Sequence, residues 1–202
     1  MKISASLIAS LLVITTFGTS TAAVAGGHAR VRGAHTNAAG GVSGGTVAVS
    51  RGPHGSTLAR GRGFATDGQG NAVAGSAASV RGPNGGHAQR SGRSARYADG
   101  SASHQSSSSG YSAAGGSYAT SGYGQRNADG TRSDARSTTV HGARGGSYAG
   151  STSGASGEGI THTSTATGAG GYSYEGSTHV SQDGVTHSGT CRDPAGNVIA
   201  CH

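Results

Sequence analysis

The chain has 202 residues, a formal net charge of +7, 40 glycines, 2 cysteines, no tryptophan and 4% aromatic residues. So little aromatic and branched apolar volume excludes an ordinary globular core, and each glycine that becomes ordered loses more backbone entropy than any other residue. Two arrangements remain: substantial disorder, or a regular β arrangement held by backbone hydrogen bonds that needs little side-chain volume.

The N-terminal stretch MKISASLIASLLVITTFGTSTAAVA combines Lys2, an apolar run from Leu7 to Phe17 and small residues ending Ala23-Val24-Ala25. That layout predicts a signal peptide over residues 1–25, cut after Ala25, with an apolar run too short to span a bilayer. The mature chain is therefore expected to be secreted, periplasmic or on the cell surface, with no transmembrane segment after cleavage. Its charge is uneven: nine Arg face the single acid Asp67 between Gly26 and Arg96, whereas five Arg face seven acids from Tyr97 onward.

Residues 26–50 read as a flexible Gly/Ala-rich lead with one short alternation, Thr46-Val47-Ala48-Val49-Ser50. A degenerate β-repeat region is expected over 51–190. RGPHG at 51–55 returns as RGPNGG at 81–86, and ARGGSYAG at 143–150 is a decayed relative. Acid-Gly phrases recur at Asp67, Asp99, Asp129, Glu158 and Asp183, with spacings of 32, 30, 29 and 25 residues. Asp-Gly favours a two-residue hairpin connection, because Gly accepts positive φ without steric cost and Asp tolerates it.

Around these turns RGFAT, QGNAVAG, ARYA, SASHQSS, RSTTVHG and STHVSQ read as short strands. Residues 101–125, rich in Ser and Gly with Tyr111, Tyr118 and Tyr123, read as a flexible segment inside the repeat region. The cassettes EGITHTS (158–164) and DGVTHSG (183–189) nearly repeat each other. Period-two alternation puts Ile160 with His162, and Val185 with His187, on one face, and Thr161 and Thr186 on the other. Each unit thus offers a weakly apolar face and a hydroxyl-bearing face, suited to stacking.

At the C-terminus CRDPAGNVIACH places Cys191 and Cys201 on either side of Asp193-Pro194-Ala195-Gly196-Asn197. An exported chain with two cysteines flanking a turn predicts a disulfide-closed hairpin over 191–202. In the loop-entropy model a ring of this size contributes roughly 2–3 kcal/mol.

No catalytic, cofactor or metal signature is present. The ten histidines lack the spacing of a defined metal site, although His162, His179 and His187 could gather on a stacked face. GVSGG at 41–45 has the letters of a nucleophile elbow around Ser43 but lacks the flanking strand and helix. No enzyme, cofactor or specific nucleic-acid partner is expected. The residues expected to meet anionic polymers are Arg30, Arg32, Arg51, Arg60, Arg62, Arg81, Arg90, Arg93 and Arg96.

The phrases GQGNAVAG (68–75) and GYGQRNADG (122–130) resemble the repeats of curli-type amyloid subunits, which use Ser, Gln, Gly and Asn at set positions. The resemblance covers under a tenth of the chain and lacks their short regular period, and it implies β-assembly at a cell surface. The fold expected is mostly β, of degenerate repeat or solenoid-like hairpins with extensive Gly/Ser-rich disorder. The function expected is that of an exported surface or extracellular-matrix protein, structural or adhesive, self-associating or meeting other surface components, anionic glycans or lipids. The alternative is a secreted cationic Gly/His-rich antimicrobial or anionic-surface-binding effector.

Overall fold

The computed structural model describes residues 26–201; the expected signal peptide and His202 lie outside the described residues. Thirteen strands follow one another: β1 (Gly27–Thr36), β2 (Val42–Arg51), β3 (Thr57–Thr66), β4 (Ala72–Arg81), β5 (His87–Arg96), β6 (Ala102–Tyr111), β7 (Ser117–Arg126), β8 (Arg132–His141), β9 (Ser147–Ala155), β10 (Gly159–Thr167), β11 (Ser173–Ser181), β12 (Gly184–Arg192) and β13 (Val198–Ile199). They form one antiparallel sheet in sequence order, each strand hydrogen-bonded to its predecessor and successor. The described residues are thus mostly β, a run of successive hairpins without a helix.

The turns show why so polar a chain folds this way. From Thr36 to Ser147 each ten-residue strand is followed by a five-residue turn, and a glycine with positive φ recurs at 40, 55, 70, 85, 100, 115, 130 and 145. In Tyr97–Ser101 the Tyr97 amide donates to the Ser101 carbonyl at 2.9 Å and the Gly100 amide to the Tyr97 carbonyl at 3.0 Å. This is a type I turn closed by a left-handed glycine, whose twist suits a hairpin. The three prolines, Pro53, Pro83 and Pro194, each stand second in such a turn, where a fixed φ helps and no ladder amide is lost.

The Asp-Gly phrases are therefore not two-residue connections. Asp99-Gly100 and Asp129-Gly130 supply the third and fourth turn residues, Asp67 the first, and Asp183 belongs to the Gln182-Asp183 connection of β11 and β12. These offsets make the acid spacings irregular, while the left-handed glycines keep the period.

An odd repeat has a consequence for chemistry. Thr57 opens β3 opposite Arg51, whereas Ala72 opens β4 opposite Thr66, on the other face of the sheet. Side chains return to the same face and strand direction only after two repeats. That is why RGPHG and RGPNGG stand thirty residues apart.

Two segments expected to be flexible are strands. Residues 26–50 carry β1 and most of β2, and residues 101–125 carry β6, a turn and most of β7. RGFAT and RSTTVHG fall almost wholly in strands of ten residues and STHVSQ in one of nine, whereas Gln69 to Asn71 of QGNAVAG and Tyr97-Ala98 of ARYA belong to turns. Regular turns and a paired neighbour on each side outweigh the low strand propensity of Gly and Ser, since propensity in sheets is dominated by context.

The sheet is a single layer. Among the described residues the buried apolar side chains are Ala48, Ala65 and Ala95, and no large side chain is fully buried. A strand makes substantial contact only with its sequence neighbours. Backbone ladders, cross-strand pairs and turns therefore hold the fold, and stability is close to a sum of nearest-neighbour terms.

Candidate functional site

Register carries one face of the sheet through Val47, Gly61, Ala77 and Ser91, and the opposite face through Ala48, Arg60, Ala78 and Arg90. The first is called here the hydroxyl face. Its central row continues from Ser91 through Ser107, Ser121, Ser137, Ser151, Thr163 and Ser177 to Ser188. Hydroxyls pair across it at 2.8 Å (Ser91 and Ser107), 2.9 Å (Ser121 and Ser137) and 2.7 Å (Ser151 and Thr163). A trough of about 830 Å³ follows this row from β2 to β9.

The second is the arginine face. Arg30, Arg60 and Arg90 share one row, separated by Ala48 and Ala78. Arg32 and Arg62 share the next row, with Thr46 between them and Ser76 after. Alternation puts Arg96 on this face too, at the end of β5. Arg51, Arg81 and Arg93 lie on the hydroxyl face, the first two at strand ends. The structure therefore divides the nine arginines into six and three, and all nine are exposed. Strands β1 to β7 contain no Asp or Glu; the acids Asp67, Asp99 and Asp129 are in turns.

Further along the arginine face runs an apolar row: Leu58, Val80, Ala88, then Tyr118, Val140 and Tyr148, and beyond Ala166, Tyr174. The tyrosines lean along their own strands. A Cβ added at Gly150 or Gly176 would strike the hydroxyl end of Tyr148 or Tyr174, so glycine there lets each ring lie along its strand. Phe64 behaves alike toward its neighbour strand: a Cβ at Gly44 would lie 2.9 Å from the ring. Strand pairing aligns Tyr118, Tyr148 and Tyr174 in this row, whereas Tyr111 and Tyr123 lie on the hydroxyl face.

The two GxTH cassettes are alternate strands in register. Ile160, Val180 and Val185 form one row across β10, β11 and β12, and His162, Thr178 and His187 the next. His162 and His187 thus face one way and His179 the other, so the three do not gather. Instead Nδ1 of each meets a neighbouring threonine hydroxyl: Thr152 with His162 at 2.8 Å, Thr161 with His179 at 2.9 Å and Thr178 with His187 at 2.8 Å. Among the described residues no group of three or more His, Cys, Asp or Glu is disposed to hold a metal ion. Ser43 lies in β2, where its hydroxyl accepts from the Asn37 side-chain amide at 2.9 Å.

The turn aspartates act as clamps. Asp99 accepts from the Ser101 hydroxyl at 2.6 Å and amide at 2.8 Å, and Asp129 from the Thr131 hydroxyl at 2.7 Å and amide at 2.9 Å. Asp67 accepts from the Asn71 side chain and from the Gln69 amide at 2.8 Å; Asp193 accepts from the Asn197 side chain at 2.9 Å and amide at 2.8 Å. These side-chain donors above all, then the backbone amides, hold the four carboxyls below the usual range by favouring the charged form.

The Cys191–Cys201 disulfide is formed, with Cα atoms 5.4 Å apart, closing the β12–β13 hairpin. No helix among the described residues is long and apolar enough to cross a membrane. No family model, curated protein or solved structure matches the chain.

What sequence reasoning missed is the joint placement of the arginines. The signal was present in the thirty-residue spacing of Arg30, Arg60 and Arg90, but its meaning depends on the strand period.

Proposed function

We propose that this is an exported structural or adhesive protein of a cell surface or extracellular matrix, which associates through the uncovered faces and edges of its sheet. The observation that carries the reading is a single-layer sheet with, among the described residues, no second layer on either face. Sheets in self-contained domains bury at least one face against another element. A surface this extensive is suited to a partner, whether another copy or a polymer.

The edges support the same reading. Among the described residues β1 has no strand on its outer side, and β13 pairs with only Cys191 and Arg192 of β12. Open ladders accept further strands. β1 and β12 run in opposite directions, so a second copy's β1 beside β12 would continue the antiparallel alternation. Such head-to-tail contacts extend into an open array unless the rotation between copies closes a ring. An oxidising extracellular setting is supported by the disulfide.

The test is light scattering with circular dichroism on the exported, oxidised chain followed over time. Growth in particle size with a retained β signal is expected; a chain that stays monomeric at every concentration and binds no surface polymer would overturn the proposal. The alternative, a cationic effector, draws on the same exposed arginines and predicts leakage from anionic vesicles, which the structural reading does not.

A further inference from the structure

We propose that the arginine face of β1 to β5 is a binding site for an extended acidic polysaccharide bearing carboxylates. The inference rests on the proposed extracellular role for where such a polymer is met, and on the geometry for the binding itself.

Arg30, Arg60 and Arg90 occupy alternate strands of one row, and Arg32 and Arg62 do so in the next. Alternate strands repeat at roughly 9.5 Å, twice the interstrand spacing, and neighbours two apart along a strand at roughly 6.7 Å. The result is a lattice of guanidinium-bearing positions with no carboxylate on the same strands. A strand of duplex DNA carries a phosphate every ~3.4 Å of helix axis, much denser than this lattice. An extended polyuronate, whose alternate sugars turn opposite edges, brings carboxylates to one side only at every second sugar and is the sparser match. Guanidinium groups can bind carboxylates through two parallel hydrogen bonds, which rewards such a match.

The groups between the arginines suit sugar rather than lipid or base. The second row alternates charge with hydroxyl, as Arg32, Thr46, Arg62 and Ser76. These residues line a trough of about 830 Å³ together with Phe64, whose ring lies over Gly44 and is 44% exposed. An exposed aromatic face is a platform for the C–H face of a sugar ring, while hydroxyls meet sugar hydroxyls. The positions between these arginines in the two rows are Ala, Thr and Ser, while the apolar row of Leu58, Val80 and Ala88 runs beside the first. Preference for anionic lipid vesicles over polygalacturonate would therefore also overturn the proposal.

The experiment measures polygalacturonate binding by the full, exported and oxidised chain at fixed ionic strength, with neutral dextran and a single-stranded DNA oligonucleotide as comparison probes. Two double variants remove equal charge: Arg60→Gln with Arg62→Gln on the arginine face, and Arg51→Gln with Arg81→Gln on the other. The first is expected to weaken polygalacturonate binding about tenfold and the second by less than about threefold. Equal losses would reveal charge attraction without a site and overturn the proposal, as would tighter binding of the DNA.

Folding of the variants is checked by circular dichroism. Independently of them, the wild-type chain is treated with phenylglyoxal with and without polymer. Protection of Arg30, Arg60, Arg62 and Arg90 but not Arg51 or Arg81 is expected, and uniform protection or none refutes the site. Scattering on the same samples separates the two proposals. Array-dependent binding by a persistent monomer sinks assembly alone, and assembly without array-dependent binding sinks the site alone.

Discussion

Replacing Gly100 by alanine isolates the turn geometry from packing. Gly100 has φ of +86°, and a Cβ added there meets nothing within 4 Å, so no clash contributes. An L-residue in this left-handed conformation costs about 1–2 kcal/mol, partly offset by about 0.4–1 kcal/mol from the lower entropy of the unfolded chain. Gly33 in β1 supplies the control, because it too has open space around a new Cβ and its φ is not positive. There alanine should be neutral or stabilising. Hydrogen exchange reads the difference locally, at the Gly100 amide bonded to Tyr97 and the Tyr97 amide bonded to Ser101. Gly100→Ala should accelerate both by about three- to tenfold, a net loss near 1 kcal/mol. Gly100→Asn should recover much of the protection, since Asn tolerates this conformation better. Equal exchange in Gly100→Ala and Gly33→Ala would refute the claim that left-handed glycines set the fifteen-residue period.

Acid should loosen the turns. The carboxyls of Asp67, Asp99, Asp129 and Asp193 are depressed in the folded chain, so their contribution is present above the unfolded value of about 3.9 and is lost as pH falls through the lower folded values. Denaturation midpoints measured against pH should fall below about pH 4, and Asp99→Asn should flatten that fall at its own turn. Deleting residues 57–86 removes one hairpin and keeps every later side chain on its face; deleting 57–71 reverses the faces after the cut. The shorter deletion turns Arg90 and Arg96 away from Arg30 and brings Arg81 and Arg93 round in their place, so each variant keeps four of the nine arginines on the face. Only the longer deletion keeps arginines on alternate strands of one row. Weaker polygalacturonate binding by the shorter deletion is expected, and binding titrations of the two decide. Reducing the disulfide should raise exchange in β12 and β13 by a local loss of roughly 2–3 kcal/mol and leave β1 to β8 unchanged, because a strand has substantial contact only with its sequence neighbours.

Much of this molecule is legible in its letters. Lack of core volume narrowed the choice to disorder or a β arrangement held by its backbone, Cys191 and Cys201 pointed to a closed hairpin, and alternation in GITHTST and GVTHSGT to their two faces. The thirty-residue return of RGP marked the hairpin repeat. The half-repeat was hidden, because an odd period of fifteen changes the face on which each strand begins, and chemistry recurs only at every second strand. Low strand propensity also concealed β1, β2, β6 and β7, whose order comes from paired neighbours that no local window contains.

Sequence by itself therefore determined the lack of an ordinary core, the Pro-Ala-Gly turn after Cys191 and the disulfide, since each depends on composition or on residues close together in the chain. Only the tertiary structure decided that Arg30, Arg60 and Arg90 share a row while Arg51, Arg81 and Arg93 face away. It likewise separated His179 from His162 and His187, and laid Phe64 over Gly44. A side chain's face and row follow from strand register, which is a property of paired strands and of no single segment.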